Sequence, residues 1–263
     1  MSAVHSYTVR AHNYALESEN KIHSDATASR YGFKGGLVPG VADMAYLARA
    51  VYDVWGEPWL RGGALRVKLF KPVYDGERAT ARVQPNADNS EAELLLVNEA
   101  DEPCATGAAV LAGRGEAPRP EDFPRIEGVK REARPAPTTK TFPADHLLGA
   151  YEYDFDARAA HAEAVEMFVE PWPGNTWHPA LLLHDANLAL RTNVALGPWI
   201  HTASDMQLFD APRDGERISL RGSVLDTYEK RGHIMTDIKL GVFSGERPIA
   251  HIRHSAIIQL SGS

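Results

Sequence analysis

The chain has 263 residues, 44% of them hydrophobic and 24% charged, with a formal charge of -7. Such a composition excludes a disordered chain, and acidic and basic residues interleave without a Lys/Arg block, which argues against nucleic acid or an anionic membrane as partner. Cys104 is the single cysteine, which excludes an internal disulfide framework and a thiolate metal cluster; with no apolar leader in MSAVHSYTVR and no 18-residue apolar run, the expected location is the cytoplasm.

In chain order, residues 7–15 read as a first strand, followed by a polar loop that runs to Gly40. Val41, Met44, Ala45, Leu47, Ala48 and Val51 recur at spacings of three and four, which predicts a long helix over residues 41–54. Three strand-like runs come next, at residues 79–83, 91–97 and 104–112, with a polar turn at residues 87–90. Residues 113–141 are rich in Pro, Arg and Glu and lack periodicity, as expected of a linker. A strand at residues 148–155 opens the second part. Leu181, Leu182, Ala186, Leu188, Leu190 and Val194 then predict a second helix over residues 181–195, and strands follow at residues 217–225, 233–242 and 248–260.

The two parts are copies of one unit. Phe70-Lys-Pro-Val-Tyr-Asp75-Gly76-Glu77-Arg78 and Phe209-Asp-Ala-Pro-Arg-Asp214-Gly215-Glu216-Arg217 both read F-x-x-x-x-D-G-E-R, 139 residues apart, with matching helices upstream and strands downstream. Strands in this number must bury one sheet face, and the helix is the natural cover. The expected class is α+β, a double hotdog: two antiparallel sheets, each wrapped around a long central helix and joined in one chain. The expected units are residues 1–112 and 142–263, linked by 113–141. Pairing them edge to edge removes exposed strand edges.

Glu17-Ser-Glu-Asn20-Lys-Ile-His23, then Ala28, Gly32-Phe33 and Val38-Pro39-Gly40, lie between the first strand and the first helix. This stretch resembles MaoC-like and (R)-specific enoyl-CoA hydratases, whose pattern is roughly Gly-Asp-x-Asn-Pro-Ile-His, a small-residue turn, Gly-Phe, and Val-x-Gly at the helix start. The resemblance implies a lyase acting on an enoyl or 3-hydroxyacyl thioester of CoA or an acyl carrier protein, in fatty acid or polyketide metabolism. It implies that His23 is an acid/base residue, that Asn20 holds the loop or touches bound water, and that the Gly40 N–H receives the thioester oxygen. Water addition needs an acid, a base and a donor for the developing enolate, and a helix N-terminus suits the last role. Where the family carries its aspartate, five residues before the histidine, this chain has Ser18. A hydroxyl is no base at neutral pH without an activator. Glu17 and Glu19 flank it, and alternation along an extended loop points both away from it.

The second half offers an alternative pair, Asp156 and His161, with the same Asp-to-His separation. There the counterpart of Gly40 is Pro179, which has no N–H to donate. His178, His184, His201, His233, His251 and His254 form no HExxH or comparable ligand spacing, so neither metal nor cofactor is expected. His184 interrupts the apolar pattern of the second helix, which fits a core or pocket position, and Trp172, Trp177 and Trp199 fit either a core or an acyl pocket. Ser204 lacks the G-x-S-x-G surroundings of a nucleophile. Two other functions stay open: a thioesterase in which Glu19 activates water, and a non-catalytic acyl-thioester-binding protein. A homodimer is compatible with all three.

Overall fold

The computed structural model describes residues 3–113, 115–169, 172–173 and 177–262. Ten strands build the sheet: β1 (His5–Arg10), β2 (Ala64–Leu69), β3 (Arg78–Pro85), β4 (Glu91–Val97), β5 (Pro103–Val110), β6 (Leu147–Asp154), β7 (Ile200–Leu208), β8 (Arg217–Lys230), β9 (His233–Ser244) and β10 (Arg247–Gln259). Their order is β1-β3-β4-β5-β2-β7-β10-β9-β8-β6. From the centre outward, the first half runs β2-β5-β4-β3-β1 and the second β7-β10-β9-β8-β6, so one half mirrors the other. The expectation of two sheets is thereby corrected to one continuous antiparallel sheet. β2 pairs with β7 from Ala64↔Gln207 to Lys68↔Ala203, and neither leaves an open edge of unpaired N–H and C=O groups at the join.

Arg66 and Asp205 face each other in that ladder and are joined side chain to side chain at 2.7 Å. They are 139 residues apart, the offset of the F-x-x-x-x-D-G-E-R copies, so the twofold of the repeat passes through this ion pair. The motif itself is a turn that receives the end of each half's first strand. Asp75 Oδ1 accepts the Asn13 N–H and Asp214 Oδ1 accepts the Ala157 N–H, both at 2.8 Å. Gly76 and Gly215 adopt φ of 74° and 78°, and each donates its N–H to the carbonyl of Ala11 or Phe155. Glu77 and Glu216 turn back onto the N–H groups of Tyr74 and Arg213. Because of this anchoring, β1 stops at Arg10, short of the expected residue 15.

Among the described residues five α-helices accompany the sheet: α1 (Asp25–Ala28), α2 (Gly40–Trp55), α3 (Glu57–Leu60), α4 (Ala157–Phe168) and α5 (Ala180–Asn193). α2 and α5 occupy the two predicted long-helix positions and touch each other. α2 packs on β1 and β3, α5 on β6, and one apolar core runs through both halves. No helix among the described residues is long and apolar enough to cross a membrane. Three elements escape periodicity. β2 is six residues with two cations, β7 buries His201 and Ser204 where alternation asks for apolar side chains, and α4 buries only Ala164, Met167 and Phe168. The described residues of 111–146 hold no strand, and their helical content is single 3-10 turns at Pro120–Asp122 and Arg131–Ala133.

Candidate functional site

Between β1 and α2 the chain folds into short turns, Lys21–His23, α1 and Ser29–Tyr31, the last closed by Gly32 at φ 84°. Polar side chains tie these turns down. Asn13 Nδ2 donates to the His23 carbonyl at 2.8 Å, and Asp25 Oδ1 accepts the Gly36 N–H at 2.7 Å. Gly36 lies so close to His23 that a Cβ there would run into its carbonyl oxygen. Ile22, Ala28 and Leu37 bury together with Leu260, flanked by Ile200 and Ile257, so this first-half loop is seated on strands of the second half.

His23 is held at both ring nitrogens. Its Nδ1 lies 2.7 Å from the Leu37 carbonyl, and its Nε2 lies 3.2 Å from Asn20 Nδ2. Asn20 is oriented independently, because Nδ2 donates to the Trp199 carbonyl at 3.0 Å while Oδ1 accepts the Trp199 N–H at 3.1 Å. Only one assignment of protons satisfies all four contacts: Nδ1 carries the hydrogen and Nε2 offers its lone pair. Burial holds the imidazole below its ordinary pKa, opposed by the hydrogen bond to Leu37. His23 is therefore a neutral ring with a fixed tautomer.

Asn20 and His23 line a cavity of 530 Å³ between the halves, together with Ser18, Gly40, Trp199 and His201. Gly40 opens α2 behind the extended Pro39, so its N–H precedes the first intrahelical bond. A Cβ at Gly40 would collide with Leu69 Cδ1 and stand 3.2 Å from His201 Nδ1. α5 presents His184, Asn187, Leu188 and Arg191 to the same cavity, a spacing of three and four that marks one helix face. Burial, helped by the Arg191 charge, pulls His184 down to a pKa of about 4.

Of the residues singled out in the sequence, Ser18 lines the cavity, half-buried, its Oγ donating to the Asn20 carbonyl at 3.3 Å. Glu19 does not join it. Its side chain is exposed and paired with Arg131 at 3.2 Å, away from the cavity, and Glu17 is exposed as well. Asp156 and His161 border a second cavity, of 830 Å³, with Arg61, Trp177 and Asp214. Asp156 is the N-cap of α4, accepting the Ala159 N–H at 2.8 Å, and His161 is exposed on that helix. Five residues of helix turn a side chain by about 140°, so the two diverge. Pro179 precedes α5, and the first donor behind it, the Ala180 N–H, is already bound to His178 Nδ1 at 3.1 Å. Among the tryptophans, Trp199 borders the first cavity, Trp177 borders the second, and Trp172 packs on Tyr52 and His178.

Two features went unassigned in the sequence. His201 Nε2 contacts the Ala203 carbonyl at 3.1 Å and Ser204 Oγ at 2.9 Å, and Ser204 Oγ reaches His254 Nδ1 at 2.9 Å, with the two rings stacked 4.2 Å apart. Burial brings His201 to a pKa of about 4 and His254 well below the ordinary value, so both rings are neutral. The second feature is Asp43, 3% exposed in the wall of the first cavity. The signal for it was present: one carboxyl inside the apolar run Val41-Ala-Asp43-Met-Ala.

No protein-family model matches the chain, and no curated protein matches it. Solved structures do. A MaoC-like dehydratase aligns over 97% of this chain and 98% of its own, with a TM-score of 0.60 at 11% identity. A conserved hypothetical protein of Mycobacterium tuberculosis described as having a double hotdog fold aligns over 98% and 96%, with a TM-score of 0.59 at 13% identity. The fold is the double hotdog. A Lactobacillus plantarum protein assigned as an oleoyl thioesterase aligns over 100% and 97%, with a TM-score of 0.55 at 10% identity. The double hotdog thus occurs under both a dehydratase and a thioesterase description, and activity has to be argued from the site.

Proposed function

We propose that the chain is an enzyme that hydrates or dehydrates an enoyl/3-hydroxyacyl thioester carried on CoA or an acyl carrier protein. The observation that carries this reading is the neutral, tautomer-fixed His23 in the same cavity as the start of α2 at Gly40. A thioester oxygen seated at the Gly40 N–H would receive enolate charge at the positive end of the helix dipole. Once the Asn20 N–H gives way to substrate, the Nε2 lone pair of His23 is the base that exchanges a proton with the acyl chain, while Asn20 stays clamped on Trp199. Ser18 supplies a hydroxyl to water at the rim. We read residues 1–112 and 142–263 as the two hotdog units with 113–141 between them, and the cavity between them as the acyl pocket, since an apolar chain is best enclosed by two surfaces.

Incubation with crotonyl-CoA tests the reading. Loss of the enoyl absorbance with no free thiol is the expected result. Thiol release would reassign the chain as a thioesterase, a reading that the likeness to the oleoyl thioesterase keeps alive. Tight binding with neither signal would make it an acyl-thioester-binding protein.

A further inference from the structure

Asp43 sits one helical turn after Gly40, at i+3 and so on the same side of α2, and lines the same cavity as His23. Its Oδ1 is sealed from water and has no hydrogen-bond partner among the described residues. Buried carboxyl groups are ordinarily paired, because an unpaired one costs stability. An alanine or leucine at this point of an apolar helix would suit the fold better, so the carboxyl is placed against stability, which is the mark of a functional group.

We infer that Asp43 is the second acid/base group of the cavity, giving a proton to the C3 hydroxyl of a 3-hydroxyacyl thioester while His23 takes the proton from C2. The inference rests on the hydratase reading above. In dehydration the C2–H bond breaks to His23 Nε2, and its electron pair passes through the enolate held at Gly40. The C3–O bond then breaks as Asp43 protonates the departing oxygen. The products are the enoyl thioester and water, with His23 cationic and Asp43 anionic, and a proton passed from His23 to Asp43 restores the start. The C3 hydroxyl oxygen lies three bonds beyond the thioester carbon, within reach of a side chain about 5 Å further along the helix. The carboxyl that the family resemblance expects at position 18 is thus supplied from α2.

The surroundings fit an acid. Burial raises the Asp43 pKa well above the ordinary value, and the Glu77 carboxylate adds to this. The other groups in electrostatic reach are Tyr14 and Tyr46, both raised by burial, and Cys104, raised to about 11, so all three stay neutral at pH 7. The cavity's remaining ionisable groups are His23, His184, His201, Glu163, Glu166, Lys71 and Arg191. A carboxylic acid and a neutral imidazole in the wall of one cavity give the division of protonation states that acid/base chemistry requires.

The test is crotonyl-CoA hydration by the full chain carrying Asp43→Asn, with Asp43→Ala as a second variant. The expected result is a kcat lower by ~10²–10⁴-fold with KM within about threefold, and an unchanged or raised Tm in both variants. Measured in the dehydration direction on 3-hydroxybutyryl-CoA, the wild-type rate should fall on the alkaline side as Asp43 loses its proton, and Asp43→Asn should lose that limb. An active wild type with both variants at wild-type rates overturns the inference and leaves the hydratase reading standing. A wild type that leaves crotonyl-CoA unchanged overturns both. A lowered Tm in both variants, with activity lost in proportion to unfolding, makes Asp43 a structural residue and overturns the inference alone.

Discussion

The two halves share one turn motif, one strand order and one helix-on-sheet design, yet their helix N-termini are opposites. Gly40, which has an N–H to donate, borders a cavity, whereas at Pro179 there is no N–H and the next one is bound to His178. The chain that leaves the shared Asp-Gly turn also differs. After Asn13 it breaks into short turns that carry His23 inward, and after Ala157 it runs as one regular helix that caps itself with Asp156. Duplication supplies the frame, and local backbone decides which copy brings a helix start and a histidine to one cavity. A single substitution in each half breaks or sharpens this contrast.

The largest effect is expected at His23. His23→Ala should lower turnover of crotonyl-CoA by ~10²–10⁴, the usual worth of one acid/base group, while circular dichroism and Tm stay near wild type. His161→Ala should leave the rate unchanged. Because burial lowers the His23 pKa, the neutral base persists below pH 6.5 and the wild-type rate should fall only at lower pH, as the ring takes up a proton. Wild-type activity in His23→Ala, or its loss in His161→Ala, would move the chemistry to the second half.

Gly40→Ala comes next. The added methyl collides with a Leu69 side chain that can rotate away, so the fold should survive, but it stands at the mouth of the donor and beside His201. Turnover should fall by ~10²-fold, as when one oxyanion donor is lost, and Pro179→Ala should change it little. Equal losses in both variants, read from kcat/KM, would mean that the two helix starts are not functionally distinct.

Ser18→Asp should raise crotonyl-CoA hydration above wild type by up to ~10-fold, since it puts a base five residues before His23 on the cavity wall. The gain is bounded because Asp43 is already in the same cavity. No gain, measured as initial rate at saturating substrate, would show that a loop carboxylate has no place in this site.

Much of this frame was legible in the residues. The F-x-x-x-x-D-G-E-R copies marked the twofold that Arg66 and Asp205 now define, and apolar spacing located α2 and α5. β7 was not legible because its buried faces carry His201 and Ser204, which pair with each other and with His254 rather than with apolar neighbours. The role of Asn20 was half legible. Its motif marked it, but its partner Trp199 lies 179 residues away, beyond any local pattern. The outward position of Glu19 follows from alternation along the loop, but its partner Arg131 belongs to a segment with no periodicity to read. Asp43 was visible as a letter, and only the packing around α2 reveals that its Oδ1 is left unpaired among the described residues.

The smallest effect is expected at Asp156, and it separates a cap from a catalyst. Asp156→Ala leaves the Ala159 N–H without its acceptor and removes a negative charge from the positive end of α4. Loss of such a cap costs about 1 kcal/mol, which for a chain of this size lowers Tm by about 2–4 °C. Turnover should stay within about twofold of wild type, because a shift of α4 reaches the first cavity only through Glu163, Glu166 and Met167. Asp156→Asn should recover most of the Tm, since an amide oxygen also caps, whereas an acid/base carboxylate would not be rescued by its amide. A collapse of crotonyl-CoA turnover in Asp156→Asn at unchanged Tm would therefore assign chemistry to the second cavity and end the asymmetry between the halves.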